Sequence, residues 1–177
     1  MTTSLIVAAD PNWVIGVNGD LPWRYPADMK RFKRLTMAGT VIMGHKTWES
    51  LPYPLKGRRC LVLTTSSSPT SRHPADSFEF YPSLDIALLA AGSDQHGTNG
   101  DVWIAGGGTI YELALRTCKA DVEFVDLTVV PEVKLVPGDV FTRFPADLLE
   151  PFKFRSSETN EEDPRLTHKL YELPFPP

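Results

Sequence analysis

Residues 4–33 read SLIVAADPNWVIGVNGDLPWRYPADMKRFK, and this stretch sets the class of fold. The opening run SLIVAA (4–9) is apolar and β-rich with no polar alternation, the habit of a strand buried on both faces of a parallel sheet. From Pro26 the sequence predicts a helix over 26–36, because proline is pre-set for a first turn and good helix formers follow it. At about 100° per residue, Asp28, Phe32 and Leu35 share one face while Lys30, Lys33 and Arg34 lie opposite. The one carboxylate of this helix is therefore in line with its apolar stripe. An unpaired buried carboxylate is costly, so such an acid needs a partner or becomes neutral. A first-turn aspartate also complements the helix dipole, and at this point both readings stand.

The same grammar continues outward. TVIMG (40–44), CLVLTT (60–65) and DVWIAG (101–106) are further short, unalternating runs. Between them lie helical segments: a short one near 46–51, SLDIALLAA after Pro82-Ser83, and TIYELALRT after a glycine cluster. Alternating strand and helix argue an α/β domain with right-handed crossovers and a largely parallel sheet. After Ala120 the pattern changes. DVEFVDLTVVPEV is one more strand, and then FKFRSSE and RLTHKLYEL alternate in and out around the polar turn TNEED. That pair predicts an antiparallel C-terminal hairpin at the sheet edge. The stretch 66–76 reads as a polar surface loop.

The chain has 177 residues, 42% of them hydrophobic and 23% charged, which fits one domain over 1–177 with a real core. A formal net charge of −4 gives no general reason to expect nucleic-acid or membrane partners. The N-terminus MTTSLIVAAD lacks a basic flank and reads as a strand, not a signal peptide. With no run long enough to span a bilayer, the expectation is a soluble, cytoplasmic protein. Cys60 and Cys118 have no CxxC spacing and read as reduced, buried thiols. No metal site is expected.

Three strand ends carry groups suited to chemistry. WIAGGGTIYEL places three glycines between a buried strand and a helix, so backbone N–H groups face whatever lies there. A tight strand-to-helix turn needs glycine in any case. VIMGHKTWES repeats the design with Gly44, His45, Lys46 and Thr47, which serves equally as an anion site or a solvated basic turn. VLTTSSS adds the hydroxyls of Thr64, Thr65 and Ser66. Open α/β sheets bind ligands at the carboxyl ends of their strands, so one extended anionic ligand could touch all three. Arg58, in GRR after a proline-rich turn, offers a guanidinium suited to gripping a carboxylate bidentately.

These pieces, in this order, resemble dihydrofolate reductase. The matching runs are residues 4–33 above, VIMGHKTWESLP, PLKGRR and IAGGGTIYE, and with the closing hairpin the resemblance covers essentially the whole chain. It implies an eight-stranded, largely parallel central sheet with the antiparallel C-terminal hairpin and helices on both faces. The implied reaction is NADPH-dependent reduction of 7,8-dihydrofolate to 5,6,7,8-tetrahydrofolate, by hydride transfer to pterin C6 and protonation at N5. Asp28 becomes the pterin-site acid, pairing with the 2-amino group and N3–H. It lies too far around the ring to protonate N5 directly, so its role is electrostatic, with the proton arriving through water.

The rest of the implied site follows by position. Ile6, Val7 and Ala8 resemble the pterin floor. Leu21 matches the lid residue beside the nicotinamide, Trp23 the residue steadying a water near Asp28, and Tyr111 the tyrosine reaching both rings. Met29, Phe32, Leu51 and Leu55 enclose the p-aminobenzoyl ring, with Arg58 on the glutamate α-carboxylate. Thr128 aligns, through a two-residue insertion, with the threonine that hydrogen-bonds the acid. On the cofactor side stand Ala8, Leu63, Thr64, Thr65 and Ala105, with Ile15, Gly16, Asn18 and Gly19 in the lid loop. Gly44 to Thr47 and Gly107, Gly108, Thr109 and Ile110 resemble the pyrophosphate-binding helix starts, and the family's Gly106-Gly107 peptide is cis. Departures from the family pattern are His45, where arginine is common, Pro82 and Thr109, where a further base is common, and Ala105, where a larger apolar residue is common. Lys46, Thr65, Ser66 and Arg72 remain to compensate, so preference for NADPH over NADH is implied by the family alone. Ala105 also belongs to the substrate pocket, where a smaller side chain enlarges the space met by antifolates.

The competing enzyme is the same-fold pyrimidine reductase of riboflavin biosynthesis, whose substrate has a phosphate tail and no glutamate. Asp28, Phe32 and the PLKGRR carboxylate grip favour folate. A non-catalytic nucleotide-binding protein on the same scaffold is the other alternative. A monomer is expected.

Overall fold

The computed structural model describes residues 2–93 and 100–174; of the expected 1–177 domain, residues 1, 94–99 and 175–177 lie outside the described residues. Its central sheet is built by the short apolar runs. In chain order the strands are β1 (Thr3–Ala9), β2 (Val14–Val17), β3 (Thr40–Gly44), β4 (Arg59–Leu63), β5 (Glu79–Tyr81), β6 (Val102–Ile104), β7 (Phe124–Val129), β8 (Phe141–Arg143), β9 (Lys153–Thr159) and β10 (Thr167–Glu172). Eight form one sheet in the order β5-β4-β3-β6-β1-β7-β10-β9. Pairing is parallel from β5 through β7, and antiparallel where β10 joins β7 and β9. The α/β expectation and its C-terminal hairpin hold.

Burial explains why these runs do not alternate. Ile42, Leu61 and Leu63 pack on one side of the sheet with Leu84, Ala87, Ala114 and Leu115. Their neighbours Val41, Met43, Cys60 and Val62 pack on the other side with Trp48. Both faces are dry because helices cover both: α3 (Leu84–Gly92) and α4 (Gly108–Thr117) lie on the first, and α1 (Pro26–Thr36) and α2 (His45–Ser50) on the second. The α1 bounds match the sequence reading, and the other three helices shift by one residue. Both cysteines are free and buried, and burial pushes the Cys60 thiol up to about 11. Among the described residues, no helix is long and apolar enough to cross a membrane.

Two expectations need correction, and one strand escaped the sequence reading. Ile15 and Gly16 are not in a free loop: they belong to β2, which pairs antiparallel with β8 as a separate ribbon. β5 has three residues, too few for its periodicity to show. β9 does not alternate either: it is exposed along its whole length, because the outermost strand has no layer over it, and only Phe152 just before it is buried.

Candidate functional site

Parallel pairing brings the carboxyl ends of β1, β3, β4, β6 and β7 to one edge, and the sequence-predicted residues collect there. Asp28 and Arg31 stand three apart on α1, hence on neighbouring positions of one helix face. Thr128 and Asp126 stand two apart on β7, hence on one face of the sheet. The two pairs meet. Arg31 donates both guanidinium arms to Asp126, at 2.5 and 2.7 Å, with the two side chains only 14% and 10% exposed. Among the described residues, Thr128 is the one hydrogen-bonding side chain that acts on the Asp28 carboxyl, holding it down.

Asp28 is thus a partly buried carboxylate whose nearest cation is already committed, and no salt bridge reaches it among the described residues. Burial pushes its carboxyl above the usual range, and the Asp126 charge adds to this. The Thr128 hydrogen bond and then Arg31 act against it. Tyr111 lies close by: its hydroxyl donates to the Ile6 carbonyl at 2.7 Å, and burial, reinforced by the Asp28 charge, drives its phenol far upward. Tyr111 thereby ties α4 to the end of β1.

Arg58 shows the same reserve at the other end of the crevice. Its guanidinium lies 5.8 Å over the Phe32 ring and donates to Thr36 Oγ1 at 3.2 Å, while its buried Nε has no partner. Desolvation holds its pKa below the usual value. The adjacent Arg59 is saturated, with Glu79 at 2.8 and 3.1 Å and the Ala90 carbonyl at 2.8 Å. Between Asp28 and Arg58 runs an apolar wall: Phe32, Leu51, Leu55 and Ala105 pack on the second core cluster. Met29, 49% exposed, and Leu21, 52% exposed, stand free at its mouth. Trp23 and Ala8 pack on Ala27, Val130 and Leu166.

The glycine-rich strand ends form one surface. Gly44 N–H donates to the Gly106 carbonyl at 2.8 Å, and the Gly106-Gly107 peptide is cis. Gly106 has φ +92°, and a Cβ there would lie 2.8 Å from the Tyr111 ring. A Cβ on Gly107 would come within 3.2 Å of Thr47 Oγ1, and one on Gly108 within 2.6 Å of Thr142 Cγ2 in β8. Bare backbone here is a packing necessity, and it leaves N–H groups at the start of the ten-residue α4, whose first turn holds no acid. Gly107, Gly108, Thr109 and Ile110 occupy that turn, with Thr64 and Thr65 just beyond β4. This donor set fits the pyrophosphate of NADPH, the cofactor the sequence implies.

Nearby basic groups are less available. His45 Nε2 lies 2.8 Å from the Thr70 carbonyl and 3.8 Å from Glu49, and the Arg72 guanidinium is bound to the Leu51 carbonyl. Over the cradle lies the β2–β8 ribbon. Asn18 and Gly19 turn it with φ +53° and +83°. Asn18 then clasps the opposite loop, its N–H on the Val140 carbonyl at 2.6 Å and its amide on Asp139 at 2.9 Å.

Sequence reasoning missed Asp10, whose carboxylate fixes the base of the ribbon by accepting from the N–H groups of Asn12, Val14 and Val133 at 2.9, 2.8 and 3.0 Å. It also missed Arg31 and Asp126, although the three-residue step from Asp28 to Arg31 and the two-residue step from Asp126 to Thr128 were there to be matched. A cavity of about 230 Å³ lined by Thr2, Ser4, Asp101, Trp103, Phe124, Asp126 and Leu170 opens toward the opposite ends of the strands and shares Asp126 with this cluster.

Comparison with known proteins points to one family. The sequence model of the family described as dihydrofolate reductase matches residues 2–173. Dihydrofolate reductase of Mycobacterium tuberculosis is 39% identical over 127 residues, covering 70% of this chain and 71% of the relative. Dihydrofolate reductase type 3 of Salmonella typhimurium is 39% identical over 118 residues, covering 65% of each. Among solved structures, dihydrofolate reductase from Enterococcus faecalis, in complex with NADP(H) and RAB-propyl, aligns with a TM-score of 0.77 at 24% identity, covering 97% of this chain and 95% of that one.

Proposed function

The chain belongs to the dihydrofolate reductase family, and we propose that the crevice between Asp28 and Arg58 is where its substrate lies. The reaction is NADPH-dependent reduction of 7,8-dihydrofolate to 5,6,7,8-tetrahydrofolate. One observation carries the site assignment: Asp28 is partly buried, with no salt bridge among the described residues, while the neighbouring guanidinium is spent on Asp126. A carboxylate left in that state complements a ring edge with two parallel N–H donors.

NADPH, when bound, supplies the hydride. The residues of this chain do the rest. Asp28 accepts from the ring's 2-amino group and N3–H, fixing the pterin plane and favouring positive charge at N5, where a proton enters through water. Ile6, Val7 and Ala8 floor the ring, Tyr111 holds that floor by its bond to Ile6, and Phe32, Leu51, Leu55 and Met29 enclose the aromatic middle. Arg58 takes the glutamate α-carboxylate. Gly44, His45, Lys46, Thr47, Leu63, Thr64, Thr65, Ala105 and Gly107 to Ile110 hold the cofactor, with Ile15, Gly16, Asn18 and Gly19 closing over it. Leu21 excludes water at the mouth, and Trp23 steadies the water beside Asp28.

An Arg58 that meets no carboxylate among the described residues favours a substrate ending in a carboxylate over the phosphate-tailed pyrimidine of riboflavin synthesis. NADPH oxidation followed at 340 nm separates the two: dihydrofolate supports turnover and the ribosylated pyrimidine does not, and the reverse result overturns the assignment. We further place the chain as one domain over 1–177, acting as a monomer in the cytoplasm, where its two free thiols fit a reducing compartment.

A further inference from the structure

Behind Asp28 the polar groups continue, and the fold fixes their order. β7 and β10 pair antiparallel with Thr128 opposite His168, so both side chains leave the sheet on one face. Thr128 Oγ1 lies 3.1 Å from His168 Nδ1, and His168 Nε2 lies 2.9 Å from Asn160 Nδ2. The Asn160 amide is pinned in its orientation, because its Oδ1 accepts from the backbone N–H of Glu162 at 2.9 Å and of Asp163 at 3.0 Å. Its NH2 group therefore faces the imidazole, and Nε2 has to be the acceptor. The ring proton then belongs on Nδ1, donated to Thr128 Oγ1. The resemblance makes Thr128 the threonine that hydrogen-bonds the acid, and a hydroxyl engaged from behind by Nδ1 has its own proton left for Asp28, whose carboxyl it holds down.

Every hydrogen bond in the series Asn160, His168, Thr128, Asp28 points toward the carboxylate. If Asp28 were protonated and donated to Thr128, the hydroxyl oxygen would accept from both Nδ1 and the carboxyl, and its own proton would lose Asp28 as its acceptor. Reversing the series means turning over the Asn160 amide and losing two backbone hydrogen bonds. We propose that His168 is a positioning residue whose fixed tautomer aims the Thr128 hydroxyl at Asp28 and so favours the ionised carboxylate. The inference rests on the assignment of Asp28 to the substrate given above, and it adds a residue two hydrogen bonds away that touches no ligand.

The surrounding charges are consistent with a neutral ring. Arg31 and Arg34 of α1, Asp126 of β7 and Glu158 of β9 face His168, and burial, followed by Arg31, holds its imidazole below the usual range. Asp28 itself faces Arg31, Asp126 and Tyr111.

The test is the carboxyl titration of Asp28, followed by carbon-13 NMR in the full-length, ligand-free protein. His168→Phe keeps a ring of similar shape and removes both nitrogens; the Asp28 midpoint is expected to rise by about half a pH unit, a fraction of one hydrogen bond to a charged group. In a Thr128→Val background the same substitution is expected to move the midpoint no further. An unchanged midpoint in His168→Phe, or an equal rise in both backgrounds, overturns the proposal. If His168→Phe does not fold, the nitrogen-15 spectrum of the wild-type ring at pH 7 decides: a neutral ring protonated on Nδ1 supports the series, and an Nε2–H tautomer or an imidazolium overturns it. Since no substrate is present, failure of the dihydrofolate assay would remove the function and leave this result untouched.

Discussion

In the site proposed above, the two halves of the crevice recognise their ligands by different means. Among the described residues, the proposed substrate half keeps two charges without a salt-bridge partner, Asp28 and Arg58, each beside a charged residue that the chain has already satisfied. Arg31 is locked on Asp126 and Arg59 on Glu79, so what separates a folding charge from a binding charge here is whether the chain supplies its counter-ion. The cofactor half works with backbone. Its glycines stand where side chains would collide, and the polar side chains nearby are largely tied to one another: Glu49 accepts from Ser71 Oγ and from the Arg72 N–H, while His45 faces the Thr70 carbonyl. Side-chain recognition is therefore expected to fail by single charge removals, and backbone recognition by added bulk.

The largest effect is expected at Asp28. Asp28→Asn keeps the shape and removes the charge, and turnover at neutral pH should fall by about a hundredfold or more. The deficit should narrow as pH falls, because solution acid replaces the field that favoured N5 protonation. Stability should move the other way. Burial raises the Asp28 carboxyl in the folded protein, so above that raised value the folded state carries a charge it disfavours relative to the unfolded chain. The ligand-free Asn variant should accordingly melt higher at pH 7. The gain should be absent below about pH 4, where the acid is neutral in both states. Full turnover at neutral pH, or a lower melting temperature there, would break the contrast between Asp28 and Arg31.

Arg58 and Arg59 sharpen it. Arg58→Leu removes a charged hydrogen-bonding group from the far end of the substrate, so KM for dihydrofolate should rise about 10- to 100-fold with kcat little changed. Arg59→Leu removes the ion pair to Glu79 and one hydrogen bond to the Ala90 carbonyl and should cost about 1–2 kcal/mol of stability, read by urea unfolding, with KM unaltered. Equal KM effects in the two variants would mean that the missing counter-ion does not mark the binding charge.

How far the sequence carried the reading follows from the same distinction. Wherever an element buries a long apolar run, as in β1, β3, β4 and β7, the period declared it, and Pro26 placed α1 to the residue. The β2–β8 ribbon did not show, since strands of four and three residues carry too little pattern to part from a loop. At the site, Asp28 was legible because one helix face contains the anomaly. The pairing of Arg31 with Asp126, and of Thr128 with His168, joins segments 95 and 40 residues apart. Such contacts exist only once α1 lies across β7 and β10 has found its register, so local pattern could not announce them.

For the cofactor half, the sharper probe is volume. In Gly108→Ala the new Cβ would meet Thr142 Cγ2 at 2.6 Å, and Thr142 sits on the ribbon over the cradle. Overpacking of this kind costs about 1–3 kcal/mol, and lifting the ribbon should weaken NADPH binding by about tenfold. Adding Thr142→Ser deletes the clashing methyl and should restore most of the affinity, measured by fluorescence quenching. If the second change restores nothing, the cradle is not set by this contact.

The smallest effect is expected where the cofactor half does use a side chain. His45 opens α2 beside Gly44, but its ring nitrogen already lies against the Thr70 carbonyl and near Glu49. Arginine at this position carries a permanent, forked guanidinium that matches a phosphate bidentately. His45→Arg should therefore strengthen NADPH binding about three- to fivefold while leaving NADH binding unchanged. The position is partly exposed, so the gain is bounded by screening and should shrink further between 50 and 500 mM salt. Glu49 remains within reach of an arginine and would compete for it, which also keeps the effect small. An equal gain for NADH would show that the new charge meets the pyrophosphate shared by both cofactors, and the half built on backbone would then prove open to side-chain recognition as well.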